Sequence, residues 1–146
     1  MASLSKNTVG SVNVLKRLGA IRLREARILL NKQQFAGAIY LAGYSVECWL
    51  KVAICKALDL DELPETFASH ELDVLLFHSG LQRRIQKRRS QQAMKAFQMV
   101  AGVWRMDRKN AIRYADPRVY NFQDAGEFLR VVNGRQGIVP WLRKQI

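Results

Sequence analysis

Apolar residues recur along this chain at helical spacing, and charged residues gather between the apolar stripes. From about Asn13 to Gln33, Leu15, Leu18, Ile21 or Arg22, Ala26, Leu29 and Leu30 fall three or four apart, with basic side chains in the outer positions. This pattern predicts a first amphipathic helix. A second runs from Phe35 to about Leu58, its buried stripe traced by Ile39, Gly43, Val46, Leu50, Ile54 and Ala57. Gly37 and Gly43 weaken helix propensity inside it, so another helix backbone is expected to come close there.

After Asp59 an acidic connector runs to about Pro64. Ser69 is then placed to cap a short helix through Phe77, with Leu72, Leu75 and Leu76 inward and Glu71 and Asp73 near its positive end. Ser79-Gly80 stops that helix. A fourth is predicted from about Leu81 to Val103, packing through Ile85, Ala93, Phe97, Val100 and Ala101. Trp104 follows it, and Arg113-Tyr114-Ala-Asp-Pro117 reads as an exit into a loop, because Pro117 disfavours helix at Asp116. Asp124-Ala-Gly-Glu127 has the form of a capping box opening a last helix with Phe128, Leu129 and Val132 inside. Gly134, Gly137 and Pro140 should fray or kink it before Trp141-Leu142 docks. Neither strand alternation nor an internal repeat is visible. The expected fold is all-α, an up-and-down bundle of four to five helices.

Length and composition agree with one core. With 146 residues, 49% of them hydrophobic, residues 1–146 should form a single domain, with 1–12 as a loosely ordered N-terminal arm. Cys48 and Cys55, seven apart on one helix, are separated by about 10 Å and cannot bridge each other. They read as small buried hydrophobes in a reducing cytosol. Glu47, Lys51 and two glycines interrupt the apolar second helix, and the first residues lack the apolar core of a signal peptide. A soluble, cytoplasmic chain with no membrane partner is expected.

Charge changes the picture by its distribution. The net charge is +12, yet residues 59–78 hold six acidic and no basic side chains, while residues 79–118 hold eleven basic and two acidic ones. The densest run is Arg83, Arg84, Lys87, Arg88 and Arg89, continued by Lys95, Arg105, Arg108, Lys109 and Arg113. Such a field favours a polyanion, because each neutralised phosphate releases condensed counterions. Nucleic acid is the default partner. A membrane surface or an acidic protein would use the same charge, and a solvated helical face would carry it without any partner.

Candidate chemistry centres on Glu47 and Lys51. Four apart, they share one stripe of the second helix, where they can form a half-buried ion pair that holds the bundle together or the polar part of a site. There is no glycine-rich phosphate loop, nucleophile elbow or cysteine–histidine cluster at metal spacing, so no cofactor or metal is expected. His70 and His78 would lie about 80° apart around a helix and two turns along it, a poor arrangement for sharing one ion. His70 reads as a cap or packing residue, and His78 as a partner for C-terminal carbonyls.

The series Arg24-Glu25-Ala26-Arg27, Ala38-Ile39-Tyr40-Leu41-Ala42-Gly43-Tyr44-Ser45-Val46-Glu47-Cys48-Trp49-Leu50-Lys51, His70-Glu71-Leu72, Ser79-Gly80-Leu81, Trp104, Arg113-Tyr114 and Trp141-Leu142 resembles HEPN-domain proteins. The resemblance runs from about residue 14 to the end, with the Ala-Gly-Tyr-x-x-Glu-Cys-x-x-Lys segment its most specific part. It implies a small helical domain, usually a homodimer, of the kind found in prokaryotic toxin–antitoxin modules, in antiviral defence and beside a small nucleotidyltransferase partner. Many relatives are metal-independent RNases whose signature is an arginine followed, after four to six residues, by a histidine. This chain lacks it: those spacings upstream of His70 fall on Glu65, Pro64 and Leu63, and upstream of His78 on Asp73, Leu72 and Glu71.

A Glu-x3-Lys element known in some relatives matches Glu47 and Lys51, and Tyr114 corresponds loosely to a tyrosine that a partner nucleotidyltransferase modifies. Two functions follow as expectations. One is a catalytically silent dimeric module that binds RNA, a nucleotide or a nucleotidyltransferase through Arg83, Arg84, Lys87, Arg88, Arg89, Arg105, Arg108 and Lys109. The other is a metal-independent RNase in which Arg108 and Arg113 stabilise phosphate charge, Glu47 acts as base, and Lys51 or Tyr114 orients or donates a proton.

Overall fold

The computed structural model describes residues 8–105 and 112–146, which form an all-α bundle carrying one small antiparallel pair of strands. Helix α1 (Val12–Asn31) and helix α2 (Phe35–Ala57) form an antiparallel hairpin, as their spacing predicts. From Ala38 to Cys55 α2 is buried on nearly every side, which explains its uniformly apolar sequence. It is long and apolar enough to cross a membrane, but 83% of its apolar window is covered by the rest of the fold.

Both helices of the hairpin end in the same way. Past α1, Gln33 takes φ 61°, and the amides of Gln33 and Gln34 return to the carbonyls of Leu30 and Leu29. Past α2, Asp59 takes φ 53°, and the amides of Asp59 and Leu60 return to Lys56 and Cys55. These are Schellman caps, built here on residues that have a side chain where glycine is usual.

Side chains, two of them indole rings, make the close approaches to the glycines of the hairpin. The stripe of α1 that is buried comprises Leu15, Gly19, Leu23 and Ala26, because Gly19 receives Trp49: a Cβ at residue 19 would lie 2.7 Å from the indole Nε1. Leu18, Ile21, Leu29 and Leu30 are only half-buried. At Gly43 a Cβ would collide with the ring of Trp104, and at Gly37 it would meet the side chain of Leu29. The expected helix backbone is therefore replaced at both glycines by a side chain.

The acidic connector folds back on the N-terminal segment. Strand β1 (Thr8–Ser11) pairs with β2 (Glu62–Pro64), with Gly10 opposite Leu63 and Ser11 opposite Glu62. Four and three residues are too few to show alternation, and the pairing joins segments some fifty residues apart, so the sequence pattern contains no sign of it. The N-terminal arm expected over 1–12 is accordingly strand from Thr8 and helix from Val12. Leu63 is fully buried.

Helix α3 (Leu72–His78) starts later than a Ser69 cap would place it. Ser69 Oγ instead accepts from the amide of Glu71, and Leu72, Leu75 and Leu76 turn inward as expected. The fourth predicted helix is broken into α4 (Gln82–Ile85), an extended residue at Lys87, a single 3₁₀ turn at Arg88–Ser90, and α5 (Gln91–Val103). Helix α6 (Phe122–Asn133) is capped one turn before the expected box: Asn121 Oδ1 accepts from the Asp124 amide, and Asp124 Oδ2 accepts from the Asn121 amide. Helix α7 (Ile138–Gln145) holds Pro140 in its first turn, where no intrahelical bond is lost, and docks through Ile138, Val139 and Leu142.

Candidate functional site

Residue Glu47 lies at the centre of α2 with 1% of its surface exposed. Its Oε1 accepts from Lys51 Nζ at 2.6 Å, the pairing that a four-residue spacing on one helix produces. The same oxygen stands 3.0 Å from His70 Nδ1. With a carboxylate as acceptor, the ring nitrogen is the donor, so the hydrogen sits on Nδ1. Residue His70 thus neither caps α3 nor packs in the core; the loop before α3 carries it to α2. Both contacts fall on Oε1, and Glu47 Oε2 is buried with no partner.

Beside this carboxylate the Cys48 thiol and the Tyr44 hydroxyl are held protonated. Burial pushes the Cys48 thiol up to about 12, and the adjacent Glu47 charge adds to the effect. Burial likewise raises Tyr44, with Cys48 and Glu47 contributing and the Arg22 guanidinium, 5.6 Å from its ring centre, opposing. Both cysteines are free and buried.

Arg113 and Tyr114 take different places. The Arg113 guanidinium lies 5.2 Å from the ring centre of Tyr40 and 5.9 Å from that of Trp104, and its Nε is buried without a partner. Trp104 itself covers Gly43 and donates its indole N–H to the Tyr40 carbonyl at 3.0 Å. Tyr40 precedes Glu47 by two helical turns, about 10 Å along α2. Arg113 is thus a cation stacked on aromatic rings, with no hydrogen bond or ion pair to the Glu47 cluster among the described residues. Adjacent Tyr114 is 76% exposed.

His78 ends α3 with its ring against Phe67, 5.3 Å between centres in an edge-on arrangement, and its Nδ1 is buried without a partner. It does not serve the terminal carbonyls. Among the described residues no three His, Cys, Asp or Glu side chains converge as a metal-ligand set.

The dense basic run forms a ridge. Arg83, Arg84, Lys87, Arg88 and Arg89 are all exposed, and none has an acidic partner among the described residues. Ile85 and Ser90 peg the ridge to the core, Ser90 Oγ accepting from Trp141 Nε1 at 3.2 Å. An open hollow of about 490 Å³ lies between Ile85, Gln86, Lys87, Arg88, Gln91 and Met94. Arg105 is half-buried beyond α5, while Arg108 and Lys109 lie outside the described residues.

Sequence reasoning thus finds the Glu47–Lys51 pair and the ridge but misses His70 as the third member of the buried cluster. Its signal, a lone histidine in the loop between the acidic connector and α3, does not indicate which helix it reaches. Neither a family model, nor a curated protein, nor a solved structure matches the chain.

Proposed function

We propose that this chain is a HEPN-like dimeric module that binds single-stranded RNA through the ridge of Arg83, Arg84, Lys87, Arg88 and Arg89. The observation carrying the reading is that five cations within seven residues stand exposed with no acidic partner among the described residues. A solvated face of a helix normally interleaves both signs, and this segment interleaves none. Arginine predominates in it, which suits forked contacts to phosphate oxygens. Binding of this kind weakens steeply with salt. In fluorescence anisotropy with an RNA oligonucleotide over a range of KCl, R83A/R84A/R88A should bind more weakly and with a shallower salt slope than the wild type. Equal affinity and slope would discard the reading. Light scattering tests the dimer, and co-purification with a small nucleotidyltransferase tests that partner.

A second reading, a metal-independent RNase, is favoured by one observation: a buried carboxylate oxygen without a partner beside a half-exposed imidazole. Here His70 Nε2 would take the proton of a 2′-hydroxyl as that oxygen bonds to the adjacent phosphorus, and return it to the 5′-oxygen as the phosphorus–oxygen bond breaks, while Glu47, held by Lys51, orients the imidazole. RNA incubated with excess chelator and run on a denaturing gel separates the readings. Cleavage lost in H70A and E47Q, both checked for native folding, would select the RNase; intact RNA selects the binding module.

A further inference from the structure

Four elements surround a second cationic hollow, away from the ridge. Its walls are Ala20, Leu23, Arg24 and Arg27 of α1, Trp49 of α2, Asn133 of α6, and Val139 and Arg143 of α7. Three guanidiniums and no carboxylate line it, and none of the three has an acidic partner among the described residues. Arg143 lies 5.1 Å from the ring centre of Trp49. That ring is fixed in turn, because it fills the space above Gly19 that any side chain would occupy.

We infer that Arg24, Arg27 and Arg143 bind a phosphate group over the floor made by Trp49. The chemistry fits an oxyanion: planar donors that fork onto paired oxygens, with the Asn133 amide as a neutral donor beside them. The size limits the ligand. At about 210 Å³ the hollow is smaller than the roughly 300 Å³ at which small-molecule pockets begin, so it accepts a phosphate group and leaves the remainder of any nucleotide outside.

Two sources can supply that phosphate: a free mononucleotide, or the backbone of an RNA already lying on the ridge. The second source rests on the RNA-binding reading, and helix α7 gives it a route. Arg84 of the ridge donates to Gln145 at 3.3 Å, and Gln145 follows Arg143 by two residues, about 200° around the helix. Ridge and hollow therefore flank α7 about one helix diameter, roughly 10 Å, apart, within reach of a single strand.

The test has two arms, both on the full chain. In the first, inorganic phosphate is titrated in chloride buffer while the indole N–H resonance of Trp49 is followed by NMR, in the wild type and in R24A/R27A. Both arginines are exposed, so the variant should keep its fold. The expected result is a saturable shift in the wild type that becomes at least ten times weaker in the variant. No shift, or the same shift in both proteins, overturns the inference. In the second arm, the salt dependence of single-stranded RNA binding is compared for the wild type, R24A/R27A and R83A/R84A. A slope shallower by about 0.7 in R24A/R27A assigns the phosphate to RNA, at roughly 0.7 per phosphate neutralised. An unchanged slope beside a positive first arm assigns it to a free nucleotide. Absence of RNA binding by the wild type would sink the RNA-binding reading and leave the hollow to be judged by the first arm.

Discussion

His70 Nδ1 stands 3.0 Å from Glu47 Oε1, so a side chain that is 55% exposed shares an oxygen atom with one that is 2% exposed. Lys51, 6% exposed, reaches the same oxygen from the interior. One carboxylate oxygen therefore collects both donors while the other is buried alone. The two donors differ in what they contribute: Lys51 compensates a desolvated charge, whereas His70 connects that charge to water.

Removing Lys51 should cost much more than removing His70. Lys51→Met leaves a buried carboxylate without its cation, a change worth about 3–5 kcal/mol. His70→Ala removes a half-solvated contact worth about 1 kcal/mol. Urea denaturation of the two variants checks the ordering, and a Lys51→Met protein as stable as the wild type would show that the carboxylate does not need its buried cation.

Gly43→Ala should destabilise the bundle by about 1–3 kcal/mol, because the added methyl collides with the rigid Trp104 ring rather than with a side chain that can swing away. The near-ultraviolet circular dichroism of Trp104 should change with it. Gly102→Ala, where a Cβ meets nothing within 4 Å, is the control and should be neutral or slightly stabilising.

At the end of α1, Gln33→Gly should stabilise the protein by about 1 kcal/mol, since a non-glycine residue at φ 61° carries a steric cost that glycine avoids. Asp59→Gly should gain less, because aspartate tolerates the left-handed region better than glutamine. A higher melting temperature for Gln33→Gly, with Asp59→Gly in between, is the expected order.

Cys48 should resist alkylation in the native state at pH 8, because its thiol is pushed up to about 12 and only the thiolate attacks. An unfolded thiol ionises near 9.0, so the native state holds its proton more tightly. This contribution to stability is intact below pH 9 and is lost as pH rises towards 12. Mass spectrometry after a pulse of iodoacetamide, with and without urea, measures the first effect. Cys48→Ser or Cys48→Ala should flatten the alkaline fall in stability.

The helices that sequence periodicity located are those with apolar residues throughout their length. In α2 the stripe through Ile39, Val46, Leu50 and Ile54 is buried, and so are Phe97 and Val100 in α5 and Phe128 and Val132 in α6. The break in the fourth helix was legible in hindsight: Gln86 to Gln92 is seven consecutive polar residues, with nothing to hold a helix against the core. The β1–β2 pair was not legible, because it depends on two distant segments meeting. For the site, a four-residue spacing on one helix placed Lys51 on Glu47, but His70 arrives from a loop 23 residues away, where spacing has no geometric meaning. Tyr114 stood beside Arg113 in sequence, yet the chain turns one into an aromatic stack and the other into solvent.

The ridge hangs from two pegs, Ile85 and Ser90, with four cations of its five at or between Arg84 and Arg89. Like charges this crowded push on one another, and no helix ladder across 86–90 resists the push. Ions in the surrounding solution should therefore steady this segment. At about 0.01 M salt, where the Debye length is about 30 Å, the amides of Gln86 to Arg89 should exchange with solvent faster than at about 0.15 M, where it shrinks to about 8 Å. Added salt relieves that repulsion, and the protection of these amides should rise with it.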